Sequence, residues 1–318
     1  MTLENRKPIR VAIIGTGNVG ATFAYALTLS GLASEIVLID SNQAKNEGEA
    51  MDLNHAVPLT NPVRIWAGTY ADCAQADITV VTAGSAQRPG ETRLDLAQRN
   101  ADIFQQIIPA ATQNNPEGIL LIATNPVDVL TYAAIRFSGL PHNRVLGSGT
   151  ILDTARMRYL LSQRFGVDPH SVHGFIIGEH GDSEVPVWSL ANIAGMRIQE
   201  YCDANGTGCT GDTLSEIFTQ TRDAAYNIIT LKGATYYAIA TGLIRIVEAI
   251  LRDQNTVLSI SSLIDDYLGI SDVCLSLPSI VDRGGVERVL KLDLAKNELD
   301  GLRKSAAVLK KTIQSLKL

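Results

Sequence analysis

Short apolar runs alternate with longer segments of helical periodicity through the first half of the chain. The runs at 9–14 (IRVAII), 35–40 (EIVLID), 77–83 (DITVVTA), 118–124 (GILLIAT) and 143–148 (NRVLGS) are apolar at nearly every position. Such runs fit strands covered on both faces of a parallel sheet, where neither side-chain direction meets water. VRIWAG at 63–68 offers a further strand. Helical patterns lie between them, among others at 18–30 and 92–114, the second with a kink expected at Pro109. Repeated strand–helix–strand units predict a doubly wound α/β domain.

After about residue 150 the rhythm changes. Helical patterns fill 150–165 and 212–252, and a strand-rich stretch begins with TVLSISSLI at 256–264. DVCLSLPSIV and VERVLKL flank the turn DRGG as the arms of a hairpin. The last helix sets Leu299, Leu302, Ala306, Leu309, Ile313 and Leu316 on one stripe, a packing face. The pattern predicts an α/β protein in two parts. A Rossmann domain with a doubly wound parallel sheet spans 8–148, and an α+β domain spans 149–318.

Composition narrows the class. The chain carries a formal charge of −6, which argues against a broad surface for nucleic acid or anionic membrane. No apolar run approaches the roughly 20 residues needed to span a bilayer. The first residues, MTLENRKPIR, lack the apolar core of a secretory signal, so the expected location is cytoplasmic. Cys73, Cys202, Cys209 and Cys274 form no Cys-x-x-Cys pair and no metal-ligand spacing. They are expected to be reduced thiols, and no metal is expected.

GTGNVG at 15–20 is a Gly-x-Gly-x-x-Gly placed between a strand and a helix. The first glycine allows a tight turn, the second lets backbone approach a pyrophosphate, and the third permits close helix–strand packing. Helix N-terminal N–H groups then face the phosphate charge. Alone, the motif also suits an ordinary tight turn. Asp40 ends the next strand, twenty residues beyond Gly20, where an acid accepts hydrogen bonds from ribose hydroxyls. Its charge would repel a 2′-phosphate, and DSNQ offers no arginine to bind one, so NAD is expected rather than NADP.

Among five histidines, His180 stands out, because the apolar run in IIGEHGDSEVP delivers it to a glycine-flanked turn with acids on both sides. GTGNVG, TNPVDVLTY, GSGTILDTARMRY, IIGEHGDSEVPVWS and LKGATYYAIA, in this order and spacing, resemble the lactate/malate dehydrogenase family from about residue 8 to the C-terminus. The resemblance implies that His180 donates and accepts the proton as hydride moves to or from a 2-keto acid. A group titrating near neutrality serves both directions. It implies Asp153 as the carboxylate partner of His180, although an acid at a helix N-terminus would suit that position anyway. Arg156 would grip the substrate carboxylate with two parallel N–H donors. An ion pair with Asp153, three residues away, is the ordinary alternative. Asn125 would touch cofactor and substrate, and Thr235 would line the substrate pocket or bond the start of a helix. Cofactor contacts are expected from Gly15, Gly17, Asn18, Val19, Gly20, Asp40, Lys45, Tyr70, Gly84, Asn125 and Ser148.

The loop GSAQRPGETR at 84–93 follows a strand at the crevice edge, and its Gly and Pro content suits a segment that closes over ligand. By resemblance Arg93 polarises the reacting carbonyl, whereas Arg88 matches no such role. Malate enzymes of the family carry arginine where this chain has Gln87. A neutral amide cannot offset the desolvation of a second substrate carboxylate, so pyruvate and L-lactate are expected over oxaloacetate. Thr150 in GSGT agrees with that choice by resemblance. Arg158 and His173 fall where allosteric members bind fructose 1,6-bisphosphate between subunits of a homotetramer, unless they are plain surface charges. Alternatives are a malate or branched 2-hydroxy acid dehydrogenase, or a non-catalytic NAD-binding structural protein.

Overall fold

A computed structural model describes residues 7–85 and 92–318 of the chain. The expectations for Gln87 and Arg88, and for the Arg93 side chain, lie outside the described residues. The six apolar runs form β1 (Arg10–Ile14), β2 (Glu35–Ile39), β3 (Arg64–Ala67), β4 (Ile78–Val81), β5 (Ile119–Ile122) and β6 (Val145–Gly147). They pair in parallel in the order β3-β2-β1-β4-β5-β6. Helices α1 (Asn18–Ser30), α2 (Gln43–Ala56), α3 (Arg93–Thr112) and α4 (Val127–Ser138) lie between them in sequence. β1 sits between β2 and β4, so the winding reverses there and a crevice opens beyond the carboxyl ends of the strands.

Two glycines of the first turn are dictated by space. Gly15 has φ +98°, and a Cβ on it would lie 2.5 Å from the Ala83 nitrogen. A Cβ on Gly20 would lie 1.9 Å from the Gly15 carbonyl oxygen, so helix and strand meet too closely for any side chain.

The second half begins with α5 (Ile151–Phe165). Five two-residue strands follow: β7 (Val172–His173), β8 (Ile176–Ile177), β9 (Val185–Pro186), β10 (Asn192–Ile193) and β11 (Met196–Arg197). Three helices come next, α6 (Ile198–Asn205), α7 (Gly211–Lys232) and α8 (Tyr237–Leu251). A meander of β12 (Thr256–Ile264), β13 (Val273–Asp282) and β14 (Gly285–Val289) precedes the final helix α9 (Lys296–Ser315). The meander is antiparallel and joins β6 through Ser261 opposite Gly147, so both halves share one nine-stranded sheet. Leu302, Ala306, Leu309, Ile313 and Leu316 are buried in the core, as the stripe required, while Leu299 is half-buried.

Three local features add detail to this outline. The segment 212–252 is two helices, because Gly233 adopts φ +88° and caps α7 through its N–H to the Ile229 carbonyl. α3 continues through Pro109 to Thr112. Cys202 and Cys209 are joined as a disulfide that closes the turn between α6 and α7, which corrects the expectation of four reduced thiols. Cys73 and Cys274 are free and buried, and burial pushes the Cys73 thiol up to about 11.

Gly20→Ala is expected to lower unfolding free energy by about 3 kcal/mol, because the methyl group must displace backbone rather than a flexible side chain. Denaturant titration measures it; a loss under about 0.5 kcal/mol would contradict this packing.

Candidate active site

The nucleotide end of the crevice is built from the first turn. Gly17 caps α1 without any side-chain hydrogen bond, and a Cβ placed on it meets nothing within 4 Å. Gly17 and Asn18 are exposed, so the first N–H groups of α1 face open space, which fits a pyrophosphate. Val19 is half-buried against the core, and Gly20 holds the helix to the strand.

Asp40 follows β2. Its carboxylate accepts the Thr16 N–H at 2.7 Å, the Thr16 hydroxyl at 3.2 Å and the Asn42 N–H at 2.8 Å. Burial works against its charge, but the bonds from Asn42 and Thr16, with Lys45 nearby, hold its pKa below the ordinary value. Lys45 donates to the Thr16 carbonyl at 2.7 Å, so it braces the glycine turn. Tyr70 is half-buried; burial, Cys73 and the charge of Asp40 raise its pKa. Gly84 lies just beyond β4, where a Cβ would stand 2.3 Å from Thr124 Cγ2. Ser148 is buried at the end of β6, its N–H on the Ile122 carbonyl at 2.8 Å.

Asn125 is exposed beyond β5. Its carbonyl accepts from Asn100 Nδ2 at 2.8 Å, and Asn100 Oδ1 accepts the Ser85 N–H at the same distance. One buried amide on α3 thus ties Ser85, beyond β4, to Asn125. Thr92 and Asp95 cap each other and start α3 at Arg93.

The chemical centre lies where α5 leaves β6. Asp153, in the first turn of α5, is 2% exposed. Its Oδ1 accepts from Arg156 Nη1 at 2.8 Å, and its Oδ2 lies 2.5 Å from His180 Nδ1. The helix-terminus acid, the ion pair with Arg156 and the histidine partnership all hold at once. Burial opposes the Asp153 charge, yet His180 and Arg156 outweigh it and keep its pKa low. His180 follows β8 through Gly178, whose φ is +90°. Burial alone would lower the imidazole pKa; the charge and hydrogen bond of Asp153 push it up to about 9. Asp153 engages Nδ1, so Nε2 is the ring nitrogen left outside that pair.

Two further carboxyl groups escape sequence reading. Asp128, in the first turn of α4, is 1% exposed and accepts the His180 N–H at 2.7 Å and the Ser261 hydroxyl at 2.6 Å. Burial raises it to about 6 against the pull of those two bonds. The acid in TNPVD reads simply as a favourable helix-start residue, and nothing local announces a partner 52 positions away. Glu184 is buried as well, and its Oε1 has no hydrogen-bond partner. Burial and the neighbouring Asp153 raise its pKa to about 8.

Thr235 lies in the link between α7 and α8 rather than at a helix start, since α8 begins at Tyr237. With Arg156, Leu152, Tyr159 and Ile228 it lines a largely apolar cavity of about 480 Å³. Thr150 is buried, donating to the Ile176 carbonyl at 2.6 Å. Arg158 points elsewhere from Arg156: its Nε and Nη2 both donate to the Gly174 carbonyl at 3.1 Å, and its guanidinium lies 5.6 Å from the Phe175 ring centre. His173, exposed on β7, is the residue before Gly174, so the two candidate effector residues are neighbours.

Residues 9–147 match the NAD binding domain of lactate/malate dehydrogenases, and residues 150–317 match their alpha/beta C-terminal domain. The chain is 53% identical over 307 residues to the L-lactate dehydrogenase of Thermoanaerobacter sp. (strain X514), covering 96% of this chain and 99% of that one. It is 50% identical over 306 residues to the L-lactate dehydrogenase of Priestia megaterium, covering 96% of each. The crystal structure of the minor L-lactate dehydrogenase from Enterococcus mundtii superposes with a TM-score of 0.95 at 42% identity, covering 98% of this chain and all (100%) of that one. With both halves matched and the glycine turn and histidine centre at one sheet edge, this chain belongs to the lactate/malate dehydrogenase family.

Proposed function

We propose that the protein is an NAD-dependent L-lactate dehydrogenase that interconverts pyruvate and L-lactate, with His180 as the proton donor and acceptor. The observation that carries this reading is the contact of Asp153 with both His180 and Arg156 at the carboxyl edge of the sheet. Bound NAD supplies the hydride acceptor or donor. Arg156 keeps guanidinium N–H groups beyond its bond to Asp153, and these suit the substrate carboxylate. His180 Nε2 gives a proton to the keto oxygen during reduction and takes it back during oxidation. Asp153 fixes the imidazole tautomer and favours the charged ring, while Asp128 holds the backbone that carries it. Arg93, at the first position of α3, is assigned to the reacting carbonyl, where a cation stabilises developing alkoxide charge. Gln87 is assigned to substrate choice by its neutrality. The working form is a cytoplasmic homotetramer. Arg158 and His173 form half of a site for fructose 1,6-bisphosphate, completed by a symmetry-related subunit.

Reduction of pyruvate by NADH is expected to exceed that of oxaloacetate on the order of 100-fold in kcat/KM, from the several kcal/mol carried by an unpaired carboxylate in a closed site. Gln87→Arg should move the preference toward oxaloacetate. Oxaloacetate preference in the wild type would overturn the substrate assignment, and equal losses on both acids in Gln87→Arg would overturn the charge argument.

The pH profile tests the histidine. Its folded pKa is raised from 6.5 to about 9, so the protonated form persists below that value and is lost as pH rises through it. kcat/KM for pyruvate reduction should therefore fall at alkaline pH. Asp153→Asn should draw that fall toward the ordinary histidine range and reduce the neutral-pH value by roughly 100-fold. An unmoved alkaline limb would exclude Asp153 as the tuning group.

Fructose 1,6-bisphosphate is expected to lower the KM for pyruvate roughly tenfold, within the usual range of coupling energies. Arg158→Gln should abolish the effect. Unchanged kinetics of the wild type at saturating effector and neutral pH would remove the effector site.

A further inference from the structure

Glu184 has no task in the mechanism above, yet it sits inside the chemical centre. It is 6% exposed, and Oε1 is buried without a hydrogen-bond partner. One ligand atom from each of Asp153, His180 and Glu184 lies within 4.8 Å of the others. Two carboxylates so close in a dry site are not both ionised cheaply. Asp153 is the one with cationic partners, Arg156 and His180, and so keeps the charge. Glu184 faces Asp153 and Arg156 from α5, His180 from its own loop and Arg222 from α7, and Arg222 is already paired with Asp223 at 2.9 Å.

The charge balance follows. Among the described side chains bonded together around His180, Asp128 and Asp153 as anions balance Arg156 and protonated His180 as cations. With Glu184 neutral, an arriving monoanion meets a balanced site. With Glu184 ionised, it meets a net negative one, buried from the water that would screen it.

We propose that Glu184 is a positioning residue whose carboxylic acid must stay protonated for the keto-acid anion to bind beside Arg156, so that its ionisation closes the site to substrate. This rests on the 2-keto acid reading of the site, and it adds a control on substrate binding separate from the proton carried by His180.

The test pairs binding with spectroscopy. The KM for pyruvate, measured with NADH at pH 6.5 and 8.5, should rise in the wild type by roughly fourfold more than in Glu184→Gln, as expected for a carboxyl titrating near pH 8. Infrared difference spectra of the wild type with ¹³C-labelled glutamate side chains should show a protonated carboxyl band at pH 6.5 that vanishes by pH 9.5. Equal KM ratios in the two proteins, or no such band in the wild type, would overturn the proposal. The infrared arm needs neither turnover nor the variant. A failed pyruvate assignment therefore leaves the band in place, and a failed Glu184 assignment removes it.

Discussion

The hydrogen bond between Asp153 and His180 determines the chemistry available to this fold, and several distant elements converge to hold it. Asp153 comes from the helix that leaves β6, and His180 from the turn after β8. The backbone of His180 is pinned by Asp128 on α4, and Asp128 in turn is held by Ser261 on β12. A charged imidazole is expensive to bury, and here the expense is offset by a carboxylate whose own charge is held by Arg156. The same arrangement engages only Nδ1 of the imidazole, which leaves Nε2 for the proton transfer proposed above. Structural stability of the pair and chemical readiness of the histidine are therefore one electrostatic arrangement.

The α/β layout was legible because buried parallel strands are apolar on both faces and so leave an unbroken run in the sequence. The glycine turn was legible for a related reason: lack of space at Gly15 and Gly20 forces a residue choice that survives as a visible spacing. Asp153 and Arg156 lie one helical turn apart, so their proximity follows from sequence distance alone. Other contacts leave no such trace. Asp128 meets His180 across 52 positions and Ser261 across 133, and an acid near a helix start already has a sufficient local explanation. Glu184 looks like one more polar residue of a turn, and only the packing around it excludes water. The bond from Cys202 to Cys209 spans seven positions, outside the spacings that announce metal or redox pairs.

The break at Gly233 shows how a small backbone event shapes the pocket. The helical patterns across 212–252 are divided in the structure into α7 and α8. A left-handed residue ends α7, and the link that follows delivers Thr235 to the same cavity wall as Arg156. A continuous helix would have carried that threonine onward along the axis. Gly233 contributes no side chain, yet its backbone ends α7 just before the part of the wall that carries Thr235.

The nine-stranded sheet also blurs what the boundary near residue 148 means. In sequence the chain divides there, yet β12 lies against β6 and covers the strand that would otherwise end the parallel sheet. The first 148 residues made alone would present β6 with a row of unpaired backbone donors and acceptors along an apolar strand. Such an edge invites pairing between molecules. The nucleotide-binding half is therefore ill-suited to exist as a free module, since its edge is completed by strands that the ribosome supplies more than a hundred residues later.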